Sequence, residues 1–291
     1  MAVMKLAITE IDPFTFNAVR LSLSAITLAI CVWFEEGKNK RGIQKQQSPR
    51  NASSRFSGMR KWLIITGFAI MSGGAYQILF AIGMDRTTAG NTALIMSSMP
   101  MWIAVLSFFV LRENLGYAWF GLIITFLGTV VVTIQGGKIN LASEHLLGNS
   151  LVLIAALAWS MGSVISRPML KFISPIRLAF YATAGTLPIH FLMPIVMGAN
   201  HFDRIFEPDI VFCILYSGVF STGLAYAMWN YGVQQLGASH ASVYQNLVPL
   251  VALLAAWLSP LGETITPIQL LGGTLIIFGL FATRRLRPAV V

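Results

Sequence analysis

Charge is what this sequence has least of. Only 11% of its 291 residues are Asp, Glu, Lys or Arg, against 56% hydrophobic ones, and the mean hydropathy is +0.71. A water-soluble domain carries about a quarter charged residues, so this chain has too few to cover a water-facing surface. Cysteine is nearly absent too. Cys31 and Cys213 both lie in apolar runs and read as small buried hydrophobes, with no disulfide framework implied. There is no Walker A pattern (G-x-x-x-x-G-K-[ST]), no H-E-x-x-H and no G-x-S-x-G, so nothing indicates ATP hydrolysis, a catalytic metal or a cofactor. Acids are missing where they would matter most. All eleven (Glu10, Asp12, Glu35, Glu36, Asp85, Glu113, Glu144, Asp203, Glu207, Asp209 and Glu263) fall at the ends of apolar runs or between them.

What the chain does have is apolar runs of about 20 residues, the length an α-helix needs to cross roughly 30 Å of hydrocarbon. The spans predicted are 13–34, 62–84, 88–111, 115–135, 149–170, 176–198, 209–232, 238–258 and 267–283. Ahead of them, MAVMKLAI (1–8) is apolar but too short to cross, and lacks a signal peptide's basic start and A-x-A site. It reads as the second half of a further span. The fold class expected is all-α, a polytopic membrane helix bundle.

Net charge +9 comes from placement at span ends rather than from a basic face, so nucleic acid is not an expected partner. Eight Lys and Arg lie in one linker, from Lys38 to Lys61. Placing that linker in the cytoplasm adds Arg112, Arg167, Lys171, Arg177, Arg284, Arg285 and Arg287 to the same side, which makes fifteen. The opposite side collects Arg86, Lys138 and Arg204, which is three. Fifteen against three follows the positive-inside pattern and puts the C-terminus in the cytoplasm.

The chain also repeats itself. At an offset of 149, Ser72, Gly74, Gly83, Ala89 and Pro100 fall on Ser221, Gly223, Gly232, Ala238 and Pro249. Two residues of drift later, Gly121 and Gly128 fall on Gly272 and Gly279. Two repeats are expected, 1–135 and 148–283, each of five spans with the first incomplete. An odd number of spans per repeat inverts the second repeat in the bilayer, an arrangement typical of secondary transporters.

The residues resemble the drug/metabolite transporter superfamily, specifically its EamA-type ten-helix members. The resemblance rests on KLAITEIDPFTFNAVR (5–20), TTAGNTALIMSSMPMWIAVLSFFVLREN (87–114), GNSLVLIAALAWSMGSVISR (148–167), GLAYAMWNYGVQQLGASHAS (223–242) and LGETITPIQLLGGTLIIFG (261–279). It implies ten helices in two inverted halves, with substrate passing through a central cavity.

Polar side chains inside spans are costly unless they face partners or water, which singles out the candidate substrate-binding residues. His240 and Tyr244 lie four apart on one helical face, and Gln245 and Asn246 extend the stripe. Asn91 is the repeat mate of His240. Tyr226, Trp229 and Asn230 share a face of the preceding span, matched in the first repeat by Gln77 and Phe80, with Tyr76 adjacent. Trp159 and Ser163 form another pair four apart. Each has two readings, as cavity wall or as interhelical hydrogen bonding, and for the aromatics an interfacial belt competes. Arg20, in FNAVR, matches a recurrent arginine of the family. It reads as an attractor for an anionic group, as a partner for helix carbonyls, or as a snorkelling side chain. His190, between Pro188 and Pro194, reads as a local kink partner. Thr266 to Gln269 reads as a capping box with Pro267 at the first helical position. Glu113 and Glu263 precede helix starts, Pro100 and Pro249 are expected to bend their helices, and the paired glycines suit close helix contact.

The function expected is secondary transport of small organic metabolites or drugs across the plasma membrane, in the export direction by family habit, with weak proton coupling or none. An intramembrane enzyme and a non-transporting remnant are the alternatives. The partners expected are a small solute and the lipid bilayer. The oligomeric state is left open between monomer and homodimer.

Overall fold

The computed structural model describes residues 11–40, 58–113, 116–136, 143–198, 202–258 and 266–285, and among them every regular element is helical. In chain order, α1 is Pro13–Lys40, α2 is Gly58–Phe68 and α3 is Tyr76–Asp85, the last two joined by a π-helical stretch, Ala69–Ala75. Then come α4 Ala89–Ser97, α5 Met99–Leu111, α6 Ala118–Gly136, α7 Leu146–Met169, α8 Pro175–Val196 and α9 Pro208–Leu215. A second π-helical stretch, Tyr216–Leu224, leads into α10 Ala225–Leu236. After α11 Ala238–Val243, a 3-10 turn (Tyr244–Asn246) leads into α12 Leu247–Leu258, and α13 is Pro267–Arg285. Six spans are long and apolar enough to cross a membrane, and Ala118–Ile134 and Pro267–Thr283 are shorter apolar helices. The chain is thus the polytopic helix bundle the sequence predicts. The expected half-span 1–8, most of the basic linker, Lys138, Glu263 and Arg287 lie outside the described residues.

Side-chain caps set the helix starts. The Asp12 carboxylate accepts from the Phe14 and Thr15 amides ahead of α1, and Ser174 caps α8, which opens on Pro175. Thr266 and Gln269 exchange the two reciprocal bonds of a capping box. Glu113 does something the sequence did not indicate. Its carboxylate accepts from the Ser239 amide (3.2 Å) and hydroxyl (2.7 Å), so it caps α11, a helix 126 positions away.

Two compact units form, Met1–Ala81 with Ile165–Gln235 and Ile82–Val164 with Leu236–Val291. Each therefore takes segments from both sequence repeats. Within the first, α1 and α8 run antiparallel, with Asn17 at His190 and Glu35 at Ser174 and Arg177. Within the second, α6 and α13 do the same. A Cβ at Gly121 would lie 2.6 Å from the Gly279 carbonyl, and one at Gly128 would lie 2.6 Å from the Gly272 carbonyl. Gly121 and Gly272 are repeat mates, as are Gly128 and Gly279, so each glycine meets the mate of the other. α6 and α13 thus pack in opposite directions. The absence of side chains lets the backbones touch, the packing that substitutes for hydrophobic driving force in lipid.

The helix breaks differ in place from the expected proline bends. The first lies at Ser98, two residues ahead of Pro100, and the second at residues 244–246, ahead of Pro249. Proline fits a helix's first turn, where its missing N–H costs nothing, so it starts the new segment instead of bending the old one.

A Gly128→Leu substitution is expected to force α6 and α13 apart and to lower the melting temperature of the detergent-solubilised protein sharply. Gly185→Ala, whose new Cβ would meet nothing within 4 Å, should raise it slightly, by about 0.5–1 kcal/mol of helix preference.

Candidate functional site

The first unit holds a buried cation. Arg20 is 5% exposed, two turns into α1, where hydrocarbon would make an unpartnered guanidinium cost several kcal/mol. Its Nε donates to Asn17 Oδ1 (2.8 Å), its Nη1 to Thr222 Oγ1 (2.9 Å) and its Nη2 to Gln77 Oε1 (2.7 Å). The Phe16 ring lies 6.0 Å from the guanidinium carbon. All three acceptors are neutral, and no carboxylate pairs with Arg20 among the described residues. Three of its five N–H groups are used. The cage thus holds a positive charge without cancelling it.

His190 anchors this cage, which corrects its reading as a local kink partner. Its Nε2 lies 2.8 Å from the Gly73 carbonyl. A carbonyl can only accept, so Nε2 carries the proton and Nδ1 is left to accept from Asn17 Nδ2 at 3.4 Å. A chain of bonds runs from Arg20 through Asn17 and His190 to Gly73. The π-helical stretches make this possible. The Tyr76 amide bonds back to Met71 across a widened turn, and such widening frees carbonyls for side chains. Ser72 and Ser217 each bond the carbonyl four residues back, and each is followed by a glycine pressed against a neighbouring helix. Gly73 meets the Ala182 carbonyl on α8, and Gly218 meets the Arg20 carbonyl on α1. Packing therefore pairs Ser72-Gly73 with Ser217-Gly218, an offset of 145 rather than 149. At that offset Gln77 falls on Thr222, so besides Asn17 on its own helix Arg20 is held by one such residue from each repeat.

Other candidates in this unit serve nearby. Tyr76 is half-buried and close enough to interact with the Arg20 charge. Tyr226 is buried and its hydroxyl donates to Ser72 Oγ at 2.7 Å, just ahead of Gly73. Asn230 is buried one turn on. Its Nδ2 donates to the Pro175 carbonyl at 3.4 Å, while its Oδ1 has no partner among the described residues. Trp229 is half-buried between them in sequence. Toward the α10 end, Arg167 Nη1 donates to the carbonyls of Val233 and Gln234, and so closes that helix.

The second unit carries the remaining candidates in two places. Asn91 is buried at the start of α4, where its Nδ2 donates to Thr87 Oγ1 (3.2 Å) and to Asn149 Oδ1 (3.1 Å). That is the interhelical bonding its bland reading proposed. His240 and Gln245 are half-buried around the α11–α12 break, and Tyr244 is 38% exposed. Asn246 is 1% exposed, and neither of its amide atoms has a partner among the described residues. Trp159 is half-buried on α7, and Ser163 bonds the Trp159 carbonyl. No group of three His, Cys, Asp or Glu side chains comes together among the described residues.

Sequence reasoning found Arg20 and Gln77 without linking them, and missed Asn17 and Thr222. Asn17 lies three residues before Arg20 on the same helical face, which was the available signal. Thr222 and Gly73 carried none, because their roles depend on helix widening.

Known proteins place this geometry. A family model described as the EamA-like transporter family matches residues 1–134 and again 146–285. The chain is 29% identical over 289 residues to the "Uncharacterized transporter YoaV" of Bacillus subtilis (strain 168), covering 96% of this chain and 89% of that one. It is 27% identical over 213 residues to the "Probable terminal-alkyne amino-acid exporter" of Streptantibioticus cattleyicolor, covering 72% of this chain and 69% of that one. A solved structure described only as the crystal structure of a protein shares the fold with TM-score 0.75 at 18% identity, covering 99% of this chain and 92% of that one.

His190→Ala is expected to leave the Gly73 carbonyl and the Asn17 amide unpaired beside a new cavity. The cost should be about 2–4 kcal/mol, read as a fall in melting temperature in detergent.

Proposed function

The chain belongs to the EamA-like transporter family, and from that premise we propose that it exports small organic solutes bearing an anionic group, by alternating access. It is a multi-pass membrane transporter, so lipid and a small-molecule solute are its partners. The single observation behind the choice of solute is the Arg20 cage: a buried charge ringed by neutral acceptors, with two N–H groups unspent. A guanidinium so held can receive a carboxylate through its remaining donors. Five neutral partners would have been the cheaper way to bury it for structure alone.

The printed name of the Streptantibioticus relative, an exporter of an amino acid, is in keeping with a carboxylate-bearing solute. Within the first unit Tyr76, Gln77, Tyr226, Trp229 and Asn230 are the polar and aromatic candidates near this cage, and within the second His240, Tyr244, Gln245, Asn91 and Trp159 are candidates of their own. The positive-inside count supports a plasma-membrane protein with a cytoplasmic C-terminus. The family match and the relatives' printed names support reading it as a transporter rather than an enzyme.

Coupling follows from the same inventory. No carboxylate pairs with Arg20 among the described residues, so the usual acidic proton relay has no seat there, and the chain works as a downhill facilitator or an exchanger.

Efflux of carboxylate-bearing metabolites, amino acids included, from cells overexpressing the protein should exceed that from cells lacking it. Arg20→Gln should reduce that efflux about tenfold or more, the scale of losing a charged hydrogen bond. Arg20→Lys should also be impaired, because an ammonium cannot span three acceptors and a solute. Parental efflux from Arg20→Gln cells overturns the assignment. In proteoliposomes with a clamped pH gradient, counterflow should change little, and strong acceleration by the gradient overturns the coupling.

A further inference from the structure

The α11–α12 break carries an unmet demand for hydrogen bonds. Asn246 is 1% exposed, and neither Nδ2 nor Oδ1 has a partner among the described residues; the same is true of Oε1 on the adjacent Gln245. An unpaired buried polar atom costs about 1–3 kcal/mol, and here three are clustered on two consecutive residues. The repeat mate shows the cheaper solution. Ser97 lies at the other helix break and spends its hydroxyl on the Leu94 carbonyl of its own helix, at 2.6 Å. At Asn246 a longer amide replaces that self-satisfied hydroxyl. The two breaks also adjoin within this unit, since Ser242 Oγ donates to the Pro100 carbonyl at 3.3 Å. Interrupted helices are where transporters of inverted-repeat design build solute sites.

The pattern of unmet groups selects the ligand. A cation would take the two amide oxygens and confront the Nδ2 donors. An anion would take Nδ2 and confront two oxygens. A neutral group offering a donor and an acceptor side by side satisfies both. This holds whichever way the Asn246 amide is turned, because both of its atoms are unpaired. We infer that Asn246, with Gln245 beside it, is a docking point for the uncharged amide-type edge of a solute: a primary carboxamide, a lactam, a ureide or a nucleobase edge. This inference rests on the transporter reading and adds to it a second recognition element, in a different unit from Arg20.

The test uses the purified full chain in detergent micelles, with melting temperature followed against two probe pairs. These are acetamide with N,N-dimethylacetamide, and uracil with 1,3-dimethyluracil, each pair differing in N–H donors. The parent should bind the N–H member at least about tenfold more tightly than its methylated counterpart. Asn246→Leu, similar in volume, should lose that preference yet melt at or above the parent temperature without probe, because two unpaired atoms are gone. Asn246→Asp should also lose the preference, since it keeps the shape but replaces the donors. Gly185→Ala, outside both candidate sites, should retain it. Equal binding of both members by the parent overturns the inference. So does an Asn246→Leu protein that melts lower and still discriminates, the result if Asn246 only holds structural water. Efflux in the cells described above separates the two readings: flux without discrimination removes this site alone, and discrimination without flux removes the transporter reading alone.

Discussion

Hydrocarbon offers no hydrogen bonds, and the arrangement of this protein follows from that constraint. A polar group inside a span must be met by another part of the chain or by whatever passes through. Most here are met at once. Thr125, Thr129 and Thr133 on α6, and Ser160 and Thr186 elsewhere, return their hydroxyls to the carbonyl four residues back. The guanidinium of Arg20 cannot be satisfied so locally. It draws in Asn17, Gln77 and Thr222 and, through Asn17, His190 and the Gly73 carbonyl. One charge thus orders four helical segments of the first unit.

Glycine and the π-helical turns supply the geometry. At Gly73 and Gly218 the neighbouring carbonyl comes so close that an added Cβ would lie 2.7 and 2.8 Å away. That approach brings α8 to the first π-helical stretch and α1 to the second, and so carries His190 and Arg20 to their partners. In the second unit the Gly121, Gly128, Gly272 and Gly279 contacts clamp α6 against α13, with the Thr283 hydroxyl set against Gly121 and the Thr125 hydroxyl against Gly279. Those hydroxyls are already bonded within their own helices, to the Gly279 and Gly121 carbonyls, whereas the seam of the first unit carries a caged charge. Ala182 meets Gly73 as Arg20 meets Gly218, so the two glycine contacts match in the backbone while only one of them carries a charged side chain.

Much of this was legible in the sequence, because it rests on short-range rules. Apolar run length specifies spans, and Thr266 with Gln269 specifies a cap, each within a few residues. The glycine pairs were readable as contact points because their spacing of seven is a helix-face signal. The Arg20 cage was half-readable. Arg20, Gln77 and Tyr226 stood out as polar residues in apolar company, but nothing local says that Tyr226 meets Ser72 or that Glu113 caps α11.

Composition and order along the chain therefore determined by themselves that this is a polytopic helical membrane protein, since hydrophobic length acts locally and adds up. Only the tertiary structure decided which polar groups meet. The positions concerned are separated by 57 to 202 residues around Arg20, and their register depends on widened turns and broken helices. A π-helical turn shifts everything after it by about 100° around the helix axis per added residue, so a face counted at 3.6 residues per turn loses its place beyond Ala75 and Leu224. Packing likewise matches Ser72 with Ser217, four residues from the partner that sequence similarity chose.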